Sequence, residues 1–465
     1  MTAPEPPIRA DELEALFGAW RGYRGLALAV SGGSDSTALM VLLAEWLAQT
    51  RQHPTEVHVL TVDHGLRAQS RAEAETVAQW ANQRKFRHAV LPWIGPKPSS
   101  GVQAAARAAR YRLLAAYMRS AGLDLLMTAH TADDQAETLL MRLARGSGLD
   151  GLSAIAPLAP LDLPRIPGEA PMFLARPLLG LAKARLQAAL QARGVGWLED
   201  ESNVAPIFER SKLRAARETL HKLGLTGESL ALTARRLQRA RAALDATVAQ
   251  FCAADAGDYR VDPCGFIRIE AAAFLQLGSE LQLRVLGKGI AAVGGSSMPV
   301  PLAKLETLAQ TVVETLARAA AQAAVRPAAA ATWTLARASI SAVPGALVLE
   351  REPGRGPGSQ ITLPPGASGL WDGRFWVAAG PELGAPIAVR AVGEMGLGLL
   401  RRQVELPPSV PIRSLRALPG FWQEAVLVAV PSINFLCDGT AKRYGLSAVF
   451  APLAATGGGD RPPRA

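Results

Sequence analysis

The chain has 465 residues and is 49% apolar, which predicts a globular protein of two to four domains rather than a disordered chain. Its three cysteines are far apart and form no Cys-x-x-Cys pair, which argues against a disulfide framework, a zinc ribbon or an iron–sulfur site. The formal net charge of +10 favours a polyanionic partner, most simply nucleic acid. Because no apolar run is long enough to span a bilayer and the N-terminus lacks a signal pattern, we expect a cytoplasmic protein without membrane contact.

The first predicted elements flank a turn at Ser31–Ser36, which reads Ser-Gly-Gly-Ser-Asp-Ser. The apolar run Leu26–Val30 is typical of a strand buried on both faces, and apolar residues follow at helical spacing in Thr37–Thr50. Glycines let the backbone approach a ligand, and serine hydroxyls with the N–H groups of the helix start form an anion site. The lysine of the common nucleotide P-loop is absent, and Asp35 suits a divalent cation that bridges phosphate oxygens. The alternative is a plain glycine turn whose polar side chains cap a helix.

Strands and helices alternate along the following hundred or so residues. Runs rich in Val and Leu predict strands, and helical spacing of apolar residues predicts the helices between them. This order indicates an α/β domain with a parallel sheet covered by helices on both faces. Ligands of such sheets bind beyond the carboxyl ends of the strands, where Asp35, His64 and His130 would meet. The predicted strands and helices are Glu56–Asp63, Ser70–Lys85, Arg87–Pro92, Gly101–Ser120 and Leu123–Thr128.

A second polar stretch, His130–Thr138, follows the last of these strands. Asp133 and Asp134 lie four and three residues before Glu137, so on a helix the three carboxylates would gather on one side. Such a group could bind Mg²⁺ or the ammonium group of a cationic substrate. The alternative is that the acidic residues complement the helix N-terminus and that His130 satisfies a hydrogen bond instead of taking part in chemistry.

The chain from there to residue 208 is read as the remainder of the same domain. A proline-rich segment at Pro157–Pro171 predicts an exposed loop, and a helix is predicted at Lys183–Arg193. Gly196–Asn203 has the pattern of another strand end followed by a polar cluster.

Arginine becomes frequent in Phe208–Gln250, a predicted helical segment in which Arg210 and Arg214 share a face. This pattern indicates either a solvated helix surface or a groove for RNA backbone. Farther on, a helix-rich region ends in strand-like alternation and is followed by short Trp- and Val-rich runs between Gly and Pro. The predicted domains are a catalytic α/β domain at 1–208, a helical domain at 209–350 and a small α+β domain at 351–465 with a disordered tail.

The motifs together resemble a known family. The Ser-Gly-Gly-x-Asp-Ser turn resembles the loop of the ATP pyrophosphatase, or PP-loop, family, whose members cleave ATP to AMP and pyrophosphate while they adenylate a substrate. Over the first ~200 residues the order of motifs is similar to that of the tRNA(Ile)-lysidine synthetase family, with one departure at Ser211, where asparagine is expected. The matching stretches are Ser31–Ser36, Val62–Arg67, Ala106–Arg107 with Arg110–Tyr111, His130–Thr138, Arg145–Leu152, Arg176–Leu179 and Glu199–Asp200 with Ser202–Asn203.

This resemblance implies a two-step reaction on a transfer RNA. ATP, with Mg²⁺, adenylates O2 of the wobble cytosine of an isoleucine tRNA with a CAU anticodon, and the ε-amine of free lysine then displaces AMP to give lysidine. It also implies that the second and third domains grip the tRNA. The implied site residues are Ser31, Gly32, Gly33, Ser34, Asp35 and Ser36 for ATP; Asp35 for Mg²⁺; Asp35, Arg107, His130 and Asp134 for catalysis; Asp134 and Glu137 for lysine; and Arg110, Arg210 and Arg214 for tRNA.

Other functions are weighed against this one. The tRNA thiolases of the same superfamily use paired cysteines that the chain lacks, and NAD and GMP synthetases usually receive ammonia from a glutaminase domain, for which no cysteine has a suitable context. An inactive RNA-binding protein is disfavoured by the intact Ser31–Ser36 loop and the acidic helix. The sequence leaves open the oligomeric state, with a homodimer as one arrangement, the general base, and the division of carboxylates between Mg²⁺ and lysine.

Overall fold

The structure is a computed structural model that describes most of the chain. The described residues are 6–50, 56–65, 70–95, 97–98, 100–161, 170–199, 213, 216–253, 257–296, 300–322, 331–354, 358–437 and 444–452. These residues form two compact units, one up to residue 242 and the other from residue 243 onward. Across the described ranges, no helix is both long and apolar enough to cross a membrane.

The first unit is built around a six-stranded sheet flanked by helices. Its elements are α1 (Leu13–Phe17), β1 (Gly25–Ala29), α2 (Ser34–Gln49), β2 (Glu56–Asp63), α3 (Ser70–Gln83), β3 (Arg87–Pro92), α4 (Val102–Ala121), β4 (Leu125–Met127), α5 (Ala132–Ala144), α6 (Leu149–Leu152), β5 (Leu158–Pro160), β6 (Phe173–Ala175), α7 (Lys183–Ala192) and α8 (Arg217–Lys222). The strands lie in the order β3-β2-β1-β4-β6-β5, and β5 alone pairs in antiparallel fashion. The predicted parallel α/β sheet is confirmed.

The central strand β1 explains why helices cover both faces of this sheet. Successive side chains of a strand point to opposite faces. Leu26 and Leu28 pack in one apolar core with Leu39 of α2, whereas Ala27 packs in a second core with Leu114 of α4. All five residues of β1 are buried, as the unbroken apolar run predicted.

Some local predictions in this unit were wrong. The described part of Gly196–Asn203 forms no strand, because the Leu198 N–H donates to the Gly32 carbonyl (2.9 Å) and this segment covers the turn after β1 instead of joining the sheet. The proline-rich segment contains the short strand β5, which the sequence treated as loop. Pro160 is compatible with a strand there because β5 lies at the sheet edge, where a missing N–H needs no partner.

The second unit combines helices with three antiparallel sheets. Its elements, beginning with a helix that starts in the first unit, are α9 (Gly227–Ala253), β7 (Tyr259–Val261), β8 (Ile267–Glu270), α10 (Ala271–Leu275), α11 (Ser279–Gly294), α12 (Leu302–Gln322), β9 (Ala331–Leu335), β10 (Ala338–Val343), β11 (Ala346–Arg351), β12 (Gln360–Leu363), β13 (Ser368–Trp371), β14 (Phe375–Ala378), β15 (Ile387–Ala391), α13 (Gly393–Gln403), α14 (Ile412–Arg416), β16 (Pro419–Gln423), β17 (Val426–Val430), β18 (Phe435–Leu436) and β19 (Ser447–Phe450).

The sheets of the second unit have the orders β7-β8-β11-β10-β9, β12-β15-β16-β17-β18 and β13-β14-β19. The first of them lies in the region that the sequence described as helix-rich, where only the alternation near its end indicated strands. The other two lie in the predicted small α+β region. The predicted three-domain division at residues 208 and 350 stays a prediction.

Candidate active site

The turn after β1 depends on glycine. Gly32 has a φ of +90°, and a Cβ at this position would lie only 2.5 Å from a methyl carbon of Leu198. Both the backbone conformation and the close approach of Leu198 therefore favour glycine at this position. Gly33 follows as the N-cap of α2 in an extended conformation.

The hydroxyls of this turn organise the start of α2. The helix begins at Ser34, within the turn, and not at Thr37 as predicted. The Ser36 hydroxyl accepts a hydrogen bond from the Ser31 N–H (3.2 Å) and donates one to the Gly33 carbonyl (3.0 Å). Because the first N–H groups of a helix have no acceptor within the helix, the turn presents donors to an anion at the positive end of the helix dipole.

Asp35 is the acidic group of this turn. Its carboxylate accepts a hydrogen bond from the Ser34 hydroxyl (3.2 Å) and lies 3.6 Å from the Lys183 ammonium. Burial raises the pKa of Asp35; the negative charge of Asp134 adds to this shift and Lys183 opposes it. A partly buried carboxylate close to a second negative charge gains from a cation, so its chemistry fits a divalent metal ion.

A cavity of about 530 Å³ opens above the turn, at the carboxyl ends of β1, β2 and β4. It brings together residues that are far apart in the sequence, as the parallel-sheet argument predicted. Its wall also includes Lys183 of α7 and Glu199 of the covering segment. The sequence-predicted residues that line it are Ser31, Gly33, Ser34, Asp35, Ser36, His64, Arg107, Arg110, His130 and Asp134.

His130 is neutral at physiological pH. Burial lowers its pKa to about 4; the Asp134 carboxylate opposes this shift, and the guanidinium of Arg176 adds to it. Its Nδ1 forms a hydrogen bond with the Thr128 hydroxyl (2.9 Å). The imidazole therefore acts in this cavity as a neutral hydrogen-bonding group and not as a cation.

His64, which directly follows β2, lines the same cavity. Burial, with help from the charge of Arg110, lowers its pKa, so this imidazole is also neutral at pH 7. Its ring lies edge-on to Trp93, with centroids 5.9 Å apart. Its Nδ1 is buried and has no hydrogen-bond partner within the described residues.

Arg107 and Arg110 lie one turn apart on α4 and provide the positive wall of the cavity. The Arg107 guanidinium stacks over the Tyr111 ring at 5.1 Å, and its side chain is exposed. Arg110 is half-buried, and burial lowers its pKa, yet a guanidinium stays charged throughout the physiological range. Two positive charges in the wall of the same cavity as the turn suit a nucleotide or an activated base.

The three carboxylates of α5 do not gather in one place, contrary to the expectation from their spacing. Asp134 lines the first cavity, and its Oδ2 also caps α5 by accepting hydrogen bonds from the N–H (2.8 Å) and the hydroxyl (3.0 Å) of Thr131. Asp133 and Glu137 line a second cavity of about 1080 Å³. Asp133 turns toward α7, where its Oδ2 accepts a hydrogen bond from the Lys183 N–H (2.8 Å). The helix-capping alternative is therefore correct for part of this set.

Lys183 is the residue of this site that sequence reasoning missed. It lines both cavities and makes the ion pair with Asp35. One signal was available in the sequence: Lys183 is the first residue of the predicted helix, where a positive side chain opposes the helix dipole. A cation at such a position indicates a partner outside the helix.

The comparisons with known proteins agree with this geometry. The model of the PP-loop domain matches residues 7–219. A tRNA(Ile)-lysidine synthase of Ruegeria pomeroyi is 35% identical over 451 residues, which cover 93% of this chain and 94% of that protein. The chain belongs to the tRNA(Ile)-lysidine synthase family. A tRNA(Ile)-lysidine synthase of Bradyrhizobium sp. strain BTAi1 is 44% identical over 310 residues, which cover 65% of this chain and 84% of that protein.

Membership of the tRNA(Ile)-lysidine synthase family confirms the resemblance inferred from the order of motifs, and the PP-loop domain supports ATP as a substrate. Some residues of that resemblance, including the predicted tRNA-binding residues Arg210 and Arg214, lie outside the described residues. Within the described ranges no group of three or more His, Cys, Asp or Glu side chains could hold a metal ion by itself.

Proposed function

We propose that this chain ligates lysine to C2 of the wobble cytidine of the CAU-anticodon isoleucine tRNA, at the expense of ATP. The observation that carries the proposal is the convergence of the PP-loop turn, Asp35 and the arginines of α4 on one cavity in a member of the tRNA(Ile)-lysidine synthase family. The net charge of +10 supports a polyanionic substrate. Because tRNA is the substrate, we expect the enzyme in the cytoplasm.

The first step is adenylation of the cytosine. Its O2 forms a bond to the α-phosphorus of ATP while the bond from that phosphorus to the bridging oxygen breaks, and the electron pair leaves with pyrophosphate. The turn formed by Ser31, Gly33, Ser34 and Ser36 holds the pyrophosphate portion at the N-terminus of α2. Arg107 faces this group across the cavity and stabilises the negative charge that develops on it.

Asp35 is the residue that would hold Mg²⁺. It supplies a carboxylate with a pKa raised by burial and by the facing charge of Asp134, and this excess of negative charge suits a cation. When bound, Mg²⁺ neutralises negative charge on the phosphate oxygens of ATP.

In the second step the lysine ε-amine attacks C2 of the adenylated cytosine, and the bond from C2 to the adenylate oxygen breaks to release AMP. The amine must lose a proton before it attacks. Asp134 and Glu137 provide negative charge in the two neighbouring cavities, which suits the two ammonium groups of free lysine. His130 is neutral and lies with Asp134 in the first cavity, so it can orient the base through a hydrogen bond. Arg110, Arg210 and Arg214 are proposed to bind tRNA phosphates.

The test is incorporation of radiolabelled lysine into two matched tRNA transcripts, in the presence of ATP and Mg²⁺. One is the isoleucine tRNA with a CAU anticodon, and the other differs only in a GAU anticodon. We expect label in the first transcript alone, at the wobble position, with one AMP formed for each lysine. ATP cleavage with another acceptor would retain the PP-loop chemistry and reject lysidine formation. Binding of tRNA with neither incorporation nor ATP cleavage would favour a non-enzymatic RNA-binding protein.

A further inference from the structure

Lys183 forms a weak ion pair with Asp35 that a competing ion can break. Its Nζ lies 3.6 Å from Asp35 Oδ2, longer than the ~2.7–2.9 Å of a strong charge-assisted hydrogen bond. The lysine side chain is 50% exposed and the aspartate side chain 27% exposed, so solvent screens the pair. Partly exposed pairs of this kind contribute little to folding stability, which leaves a different role for this one.

The backbone of Lys183 is fixed although its side chain is not. Its N–H donates to Asp133 Oδ2 (2.8 Å), and the Ala132 N–H donates to the Leu181 carbonyl (2.9 Å). These two bonds tie the start of α7 to the start of α5, the helix that also carries Asp134. The Cα of Lys183 is thereby held at the rim of the PP-loop cavity while a chain of four methylenes lets the ammonium reach more than one acceptor.

Two cations can pair with Asp35: the Lys183 ammonium and the metal ion that arrives with ATP. In the structure Lys183 neutralises Asp35 and opposes the repulsion from Asp134. The proposed function gives the same carboxylate to a metal ion that arrives with ATP. A metal ion on this carboxylate would repel the nearby ammonium, so the two cations compete for Asp35. Lys183 and the PP-loop turn line the same cavity, so a phosphate chain held by the turn offers the ammonium another anionic acceptor.

We propose that Lys183 is an exchangeable cation of the adenylation step, and this inference rests on the proposed function. In the free enzyme it pairs with Asp35 and offsets part of the negative charge at the metal position. When metal-bound ATP enters, it moves to the phosphate chain and donates a hydrogen bond to the pyrophosphate portion as the bond from the α-phosphorus to the bridging oxygen breaks. It loses no proton in this exchange, and its contact is stronger with the leaving group than with the intact nucleotide because negative charge accumulates there.

The proposal predicts opposite effects of Lys183→Met on two measurements made with the full-length enzyme. Formation of AMP with the CAU-anticodon tRNA should fall about 10²-fold in kcat, because a contact to developing charge is lost. Binding of Mn²⁺ to the nucleotide-free enzyme, followed by electron paramagnetic resonance and corrected for sites that persist in Asp35→Asn, should tighten about threefold or more because the competing ammonium is gone. A merely structural lysine would not tighten metal binding.

Two further variants complete the design. Lys183→Arg keeps the charge and should retain AMP formation within about tenfold of wild type. Lys85→Met removes an exposed lysine in the turn after α3 of the same unit and should change neither measurement. Unchanged AMP formation in Lys183→Met, or unchanged Mn²⁺ affinity, would overturn the exchange. If wild type cleaved ATP on a different acceptor, the proposed function would fail, yet Lys183→Met would still slow that cleavage, so the two failures are distinguishable.

Discussion

Two aspartates show how differently this chain uses the same buried group. Asp35, in the first unit, lies beside an ammonium at 3.6 Å, and burial raises its pKa. Asp372, in the second unit, is 6% exposed and accepts hydrogen bonds from Arg351 (2.8 Å) and Arg374 (2.9 Å), with Arg337 also paired to it. These guanidinium groups hold the pKa of Asp372 well below its ordinary value, although burial alone would raise it.

The difference separates a carboxylate that awaits a ligand from one that holds the fold together. A site that binds and releases a charged substrate must keep part of its charge unbalanced, whereas a structural carboxylate is best fully paired. Arg374 illustrates the second case, since it is 1% exposed and also donates to the Ala417 carbonyl (2.8 Å). We therefore expect removal of Asp372 to lower folding stability and to spare activity, and removal of Asp35 to lower activity and to spare folding stability.

Removal of the structural aspartate should give the largest effect. Asp372→Ala leaves the buried Arg374 without a carboxylate and should lower the free energy of unfolding by about 3–5 kcal/mol. Denaturant unfolding followed by tryptophan fluorescence measures this, and AMP formation should persist at temperatures below the melting transition. Glu394→Ala is the control, because it breaks an exposed pair with Arg416 and should cost at most about 1 kcal/mol. Equal losses in the two variants would refute a structural role specific to Asp372.

Removal of Asp35 should lower activity and leave the folding stability nearly unchanged. Asp35→Ala should lower lysine incorporation by about 10²–10³-fold, the usual range for loss of one group that stabilises transition-state charge. Its melting temperature should stay equal or rise slightly, because a partly buried carboxylate with unfavourable surroundings is gone. Incorporation assays and a thermal melt on the same preparation make the comparison. A clear fall in melting temperature with activity preserved would reverse the roles given to the two aspartates.

The sequence predicted the ligand-facing region well where the signal is local. Apolar spacing and the glycines predicted the order of strands and helices and the turn at Ser31–Ser36. Because ligands of parallel sheets bind at the carboxyl ends of the strands, the sequence also predicted that His64 and His130 line the cavity. It could not find the position of Lys183, which depends on the Asp133 contact across 50 residues of chain. The strand Phe173–Ala175 was also missed, since three residues show no periodicity and its pairing with β4 is tertiary.

A third test asks whether Glu137, in the second cavity, binds the substrate lysine. Glu137→Gln removes a charge with little change of size, and we expect the KM for lysine to rise about 10–100-fold because a charge-assisted contact is lost. The KM for ATP should be unchanged, since Glu137 lines the cavity that the PP-loop turn does not. Glu228→Gln, in the same cavity, is the control for overall charge. If it raised the KM for lysine as much, the assignment of Glu137 would be lost.

The smallest expected effect is the loss of folding stability at acid pH that follows from the lowered pKa of His130. His130 has a folded-state pKa of about 4, below the ~6.5 of an unfolded chain, so the unfolded state takes up a proton first as the pH falls. The stabilisation is complete above about pH 6.5 and is lost progressively as the pH approaches 4. Between pH 7 and 4.5 the wild-type free energy of unfolding should therefore fall by about 2 kcal/mol more than that of His130→Gln. Denaturant titrations at the two pH values measure the difference, and groups that titrate in both proteins cancel from it. Parallel falls in wild type and variant would mean that His130 is protonated in the folded enzyme at pH values near 6, and the site would then hold a cation where a neutral imidazole is inferred.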